Sequence, residues 1–247
     1  MTDAAITFAG VEKGYGRQKI LGDISLEIER GEYIALVGVN GAGKSTLIKC
    51  LLDFASLDAG EIEIFSRPHS WPVSRSELSF LPEKFIPPYY LTGRDFIGYM
   101  SRLHDVTLED ARVMEILADR LDFDPAGLDK PVRQLSKGMS QKLGLAACLL
   151  SDKPLLVLDE PMSGLDPRTR ACLKQYLQEL KGEGKTIFFT THMLADIESL
   201  CDRVAILHEG RIRFAGTPAG CCQAYDTGDL ETAYLHCVGA ITETSEV

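Results

Sequence analysis

Apolar residues fall into three regimes along the chain. In the first third they form short runs: Ala5–Phe8, Ile24–Ile28 and Tyr33–Val37 read as strands, with the turn Glu29-Arg30-Gly31-Glu32 between the last two. Glu61–Phe65 is a further β-like run after Asp58-Ala59-Gly60, and Gly43–Phe54 reads as a helix with apolar positions at Leu47, Ile48, Leu51 and Leu52. Prolines at 68, 72, 82, 87 and 88 make residues 66–91 loop-rich. From Thr92 the spacing becomes helical. Thr92 is placed to cap Arg94–Leu103 and Thr107 to cap Glu109–Leu121. Ser136 is placed to cap a third helix, whose Met139, Leu143, Ala146 and Leu150 share a face. After Pro154 strands and helices alternate: Leu155–Leu158, Pro167–Lys181, Thr186–Thr190, Leu194–Leu200 and Val204–Leu207.

Continuous apolar strands alternating with helices predict a parallel sheet buried on both faces. The expected fold is α/β, a core formed by residues 1–82 and 151–216 with a helical insert at 83–150. A helical tail occupies 217–247, where Leu230, Ala233, Tyr234 and Cys237 share one helix face. The richest apolar runs, Leu145–Leu150 and Leu155–Leu158, are far shorter than the roughly 18 residues of a membrane span.

Candidate chemistry begins at Gly38-Val39-Asn40-Gly41-Ala42-Gly43-Lys44-Ser45, which fits G-x-x-x-x-G-K-[ST] between a strand and a helix. Glycines let backbone N–H groups wrap closely around phosphates at a helix N-terminus. Lys44 adds a positive charge for the β- and γ-phosphates, Ser45 a hydroxyl for Mg²⁺, and Thr46 a donor toward the α-phosphate. The apolar run Leu155–Leu158 ends in Asp159 and Glu160, which brings two carboxylates to the C-terminal edge of a sheet, where ligands bind in open α/β folds. Asp159 is placed to hold Mg²⁺ and Glu160 to polarise an attacking water.

Together with four further segments, these motifs resemble the nucleotide-binding subunits of ABC transporters. Leu135-Ser136-Lys137-Gly138-Met139 stands where that family has its L-S-G-G-Q signature. Ser163-Gly164-Leu165-Asp166 resembles its D-loop, Thr190-Thr191-His192 its switch histidine, and Tyr15 the aromatic that stacks on adenine. The resemblance runs from about Ile6 to Gly216. It implies a P-loop NTPase core with an N-terminal antiparallel β-subdomain and an inserted helical subdomain, which binds ATP and Mg²⁺ and hydrolyses ATP. It also implies that Ser136, with Lys137, Gly138 and Met139, grips the γ-phosphate bound to an opposite subunit, so that two subunits sandwich two ATPs. His192 then positions the nucleophilic water. The implied partners are an integral-membrane permease and a second nucleotide-binding subunit, a homodimer being preferred to a heterodimer. The implied location is peripheral, at the cytoplasmic face of the membrane.

Two departures stand out. Phe80-Leu81-Pro82-Glu83 carries Glu83 where the family usually has Gln; Glu83 can ligate Mg²⁺ but adds negative charge near phosphates. In the signature, Lys137 and Met139 replace Gly and Gln. Both variants resemble the type-2 exporter branch, whose ATPases pair with separate permeases. Phe85, Ile86, Tyr89, Tyr90 and Phe96 form an aromatic-rich segment that fits either a permease-docking surface or the core of the insert.

Charge and cysteine content narrow the partners. With 26 Lys+Arg against 36 Asp+Glu the formal charge is −10, which argues against nucleic-acid binding through overall charge. Residues Met1–Thr7 lack the basic and apolar regions of a signal peptide. Seven scattered cysteines without C-x-x-C are expected to be reduced thiols, as in the cytosol. Two alternatives remain: a soluble ABC-type ATPase not coupled to transport, and a degenerate ATP-binding subunit of a heterodimer.

Overall fold

The computed structural model describes residues 4–240. The first three residues and the last seven of the expected tail, 241–247, lie outside the described residues. The chain opens with two long strands, β1 (Ala4–Tyr15) and β2 (Gln18–Glu29), then the short buried β3 (Tyr33–Val37) and helix α1 (Lys44–Leu51). Next come β4 (Ala59–Ile64), the two-residue β5 (Arg67–Pro68), α2 (Pro72–Arg75) and β6 (Leu78–Leu81). Helix α3 (Gly93–Leu103) follows, then α4 (Asp110–Met114), which widens into a π-helical stretch at Glu115–Arg120. The rest is α5 (Lys137–Leu149), β7 (Leu155–Asp159), α6 (Pro167–Gly182), β8 (Thr186–Thr191), α7 (Leu194–Leu200), β9 (Arg203–His208), β10 (Arg211–Gly216), α8 (Pro218–Ala224) and α9 (Leu230–Cys237).

Two compact units result. One comprises the residues up to Arg75 together with those from Thr186 onward; the other is Ser76–Lys185. In the first, β2-β1-β4-β5 forms an antiparallel sheet. Strands β10-β9-β3-β8 form a second layer, in which β8 and β9 run parallel to β3 and β10 closes the edge antiparallel to β9. Tyr33–Val37 and Thr186–Thr191 are buried at every position, as expected of parallel strands covered on both faces. Phe8 of the antiparallel sheet meets Phe188 of β8 at a ring-centroid distance of 6.1 Å, which joins the two layers.

In the second unit β6 and β7 pair in parallel, and α5 is buried on all sides from Gln141 to Leu149. That burial exceeds the single apolar face read from its spacing. Gly144 explains part of it: a side chain there would meet the ring of Phe85 at 2.7 Å and Leu81 at 2.9 Å.

Several elements differ from expectation. The region 66–91 contains β5, α2 and β6, because Leu78 and Leu81 are buried and pair with Leu155 and Leu158 of β7. Thr107 does not cap the second insert helix. Glu109 occupies that position without a side-chain bond, and the helix continues past Met114 to Arg120 as a wider π-helical stretch. Helix α1 ends at Leu51, and Phe54 beyond it is 72% exposed. Within the expected helical tail, α8 forms as a separate helix before α9; its Cys221 is buried, and Thr217 caps it by accepting from the Gly220 amide at 2.9 Å. All seven cysteines are unbridged.

Candidate functional site

The phosphate loop leaves β3 at Val37 and enters α1 at Lys44. Three of its glycines serve distinct local needs. A Cβ at Gly38 would lie 2.3 Å from the Leu207 carbonyl oxygen, so only a bare backbone fits beside β9. Gly43 caps α1 with φ 113, and a side chain there would strike Leu21. Gly41, with φ 87, meets nothing within 4 Å and leaves its flank of the loop open. Ala42 is buried, whereas Asn40 and Ser45 are exposed and Thr46 is partly so. Lys44 is 8% exposed, and its ammonium donates to the Gly38 carbonyl at 2.6 Å and the Val39 carbonyl at 3.4 Å. The cation is thus folded back onto the loop's own carbonyls.

Register brings His192 to the same edge. Val37 of β3 is paired with Thr191 of β8, so the phosphate loop and His192 emerge side by side from neighbouring parallel strands. The Thr191 hydroxyl accepts from the Met193 amide at 3.0 Å, which fixes the turn that carries the exposed His192. At the other end of the loop, Gly43 lies against Ile20 and Leu21, the continuation of the strand whose Gln18 pairs with Tyr15.

The second unit collects the remaining residues. Leu81 and Leu158 are register partners, so Glu83 follows β6 at the edge where β7 ends in Asp159 and Glu160. Asp159 is 7% exposed. Glu160 has φ 52, a left-handed backbone that non-glycine residues rarely adopt, and its carbonyl accepts from the Ser163 amide at 3.0 Å. The strand therefore ends in a tight turn just as it delivers its second carboxylate. Glu83 is exposed in the loop that follows β6.

Residues 136–139 and 163–166 meet in this unit. Ser136 caps α5, its hydroxyl oxygen accepting from the Met139 amide at 3.1 Å, so the helix N-terminus and the hydroxyl face one direction. A Cβ on Gly138 would sit 3.5 Å from the Gly164 carbonyl, and one on Gly164 would approach Lys137 at 3.9 Å. Lys142 reaches Asp166 at 3.6 Å. Asp166 caps α6, and the Thr169 amide and hydroxyl hold its carboxyl far below the usual carboxylate range. The Met139 methyl lies where a Gly127 side chain would be, beside the Phe123 ring, so this departure from Gln is a packing contact.

The aromatic segment of the insert divides. Phe96 is buried and meets Phe85 edge-on at 5.5 Å, as core. Ile86, Tyr89 and Tyr90 are 86%, 66% and 69% exposed. Beside them Tyr90, Arg94, Tyr99 and Arg102 line an open cleft of about 480 Å³.

Around Tyr15, sequence reasoning missed two residues. Lys13 and Asp58 form an ion pair at 3.1 Å, and Asp58 also accepts from the Gly14 amide at 2.7 Å. No local pattern links positions this far apart in the chain. Among the described residues, no group of three or more His, Cys, Asp or Glu side chains could hold a metal ion. None of the described helices is long and apolar enough to cross a membrane.

A family profile described as ABC transporter matches residues 21–163. An uncharacterized ABC transporter ATP-binding protein of Synechocystis is 38% identical over 79% of this chain. The chain spans 56% of that relative's length. The Nod factor export ATP-binding protein I of Burkholderia orbicola is 36% identical over 88% of this chain and 72% of its own. A solved structure titled as the ATP binding subunit of an ABC transporter superposes with a TM-score of 0.85 at 29% identity, covering 94% of this chain and 99% of that one.

Proposed function

The chain belongs to the ABC transporter family as an ATP-binding domain, and from that premise we propose that it is the ATP-hydrolysing motor subunit of a membrane exporter. The observation that carries this reading is the phosphate loop itself. It runs from a strand end into a helix N-terminus, is open at Gly41, and holds a largely buried ammonium, with His192 on the adjacent strand end. Export is favoured by the relative named for Nod factor export.

Backbone N–H groups of residues 40–46 bind the phosphates, and Lys44 leaves its carbonyl partners for the β- and γ-phosphates. Tyr15 stacks on the base. Ser45, Asp159 and Glu83 offer only oxygen donors, the ligand set of a hard cation such as Mg²⁺. Bound Mg²⁺ supplies charge neutralisation on the phosphate oxygens. Glu160 accepts a proton from the attacking water and His192 orients it at the γ-phosphate. Ser136, at its helix N-terminus, holds the γ-phosphate bound by a second copy, with Lys137 adding positive charge and Gly138 leaving room for close approach. Asp166 shapes the D-loop beside it. Each turnover then makes and releases a two-subunit clamp that drives a separate permease. The exposed Ile86, Tyr89 and Tyr90 with the adjoining cleft support a docking surface for that permease, and on this reading the chain works at the cytoplasmic face of the membrane.

The test is ATP hydrolysis by the full chain co-purified with its permease. Glu160→Gln is expected to lower the rate by roughly 10²–10⁴-fold while ATP still binds. Equal rates for wild type and variant would overturn the assignment of Glu160. Recovery of only soluble proteins from detergent extracts would overturn the transport reading.

A further inference from the structure

Tyr15 stands at a hairpin tip with half its surface exposed (51%), so core packing does little to fix its ring. The strand before it is irregular: the pairing of β1 with β2 shifts register between Val11 and Lys13 and again between Lys13 and Gly14. Such breaks release backbone groups from the ladder. Here one residue takes over their role. The Asp58 amide donates to the Glu12 carbonyl at 2.9 Å, and its carboxylate accepts from the Gly14 amide at 2.7 Å and from the Lys13 ammonium at 3.1 Å. Lys13 is 8% exposed, and its ammonium lies 5.4 Å from the centroid of the Tyr15 ring. The Gly14 amide and then Lys13 hold the Asp58 carboxyl below its usual range.

We propose that Asp58 and Lys13 are positioning residues that bracket Tyr15 for the nucleotide base. Asp58 pins the three residues before Tyr15, and Lys13 covers one face of the ring. The base then takes the opposite face, which the cation has made electron-poor and so better matched to a purine. Asp58 lies on the segment leaving α1, so the bracket also ties the base-binding tip to the helix that begins at the phosphate loop. This inference rests on the reading of Tyr15 as the stacking residue.

The experiment compares equilibrium binding of ATP and of inorganic triphosphate, each with Mg²⁺, to the full chain. Asp58→Ala and Lys13→Met are expected to weaken ATP binding about 5–10-fold and to leave triphosphate within about twofold. In a Tyr15→Ala background, Asp58→Ala is expected to cost nothing further for ATP. Asp58→Asn, which keeps an acceptor for Gly14 but loses the charge for Lys13, is expected to fall between. If Asp58→Ala unfolds the protein, Lys13→Met carries the same comparison. Equal weakening of both ligands, or additive losses in the double variant, would overturn the bracket. If Tyr15→Ala lowers the preference for ATP over triphosphate and neither Asp58→Ala nor Lys13→Met does, stacking stands and the bracket falls. If Tyr15→Ala leaves that preference unchanged, the stacking reading falls and takes the bracket with it.

Discussion

Asp166 accepts from the Thr169 amide at 3.0 Å and from its hydroxyl at 2.7 Å, and it faces Lys142 across 3.6 Å. Each contact favours the charged form, so its carboxyl titrates below the ordinary range in the folded chain. A depressed folded pKa gives stability that is fully present above the unfolded value, near 4, and is lost as pH falls toward the folded one. Asp166→Asn keeps a capping oxygen and removes the charge. The wild type is therefore expected to melt above the variant at pH 7, with the gap closing as pH drops below about 4. A gap that stayed constant down to pH 3 would show that the charge contributes nothing. At this scale the sequence was readable where neighbours in the chain act together. Thr92 with Asp95 and Ser136 with Met139 are expected caps spanning three residues, and Asp166 with Thr169 is a cap of the same span that the sequence reading did not name. Lys13 and Asp58 were invisible because their pairing depends on where the segment after α1 is carried.

Helix α5 shows the same division one level up. Its start at Ser136 was legible, since a serine before a helical run satisfies an orphan amide. Its burial on every side was not, because that depends on Phe85 packing on Gly144 and Met139 on Gly127. Ser136→Ala removes the cap and is expected to destabilise α5 by about 1 kcal/mol. Ser136→Asp keeps a capping oxygen and adds a negative charge where an anion is to be held. It is expected to melt near wild type yet lose ATPase activity as completely as Ser136→Ala. Full activity in Ser136→Asp, measured by phosphate release, would show that Ser136 serves the helix alone. The second insert helix has nearly the expected extent, and only its cap and winding differ. Its apolar spacing runs on past Met114, and Ile116 and Leu117 are indeed buried, but the backbone meets that burial by widening into a π turn.

For the whole molecule, the proposed clamp makes a prediction about mass. Glu160→Gln with ATP and Mg²⁺ is expected to shift in light scattering from one chain to two, and ADP is expected to leave it unshifted. ATP-loaded protein that remains a single chain would sink the sandwich and with it the role of Ser136 in trans. The sequence by itself determined the glycine-rich loop at a helix N-terminus, the paired carboxylates and the alternation of buried strands with helices. Each is a property of contiguous residues, set by backbone conformation, a strand's period and the size of glycine. Tertiary structure decided what distant segments do for one another. Parallel register sets His192 beside the phosphate loop, β6 pairs with β7 despite the prolines around it, and Asp58 takes the hydrogen bond that an irregular β1 leaves unpaired. Those outcomes depend on which strands pair and in what register, and on which backbone groups that pairing leaves unsatisfied, and no local pattern encodes either.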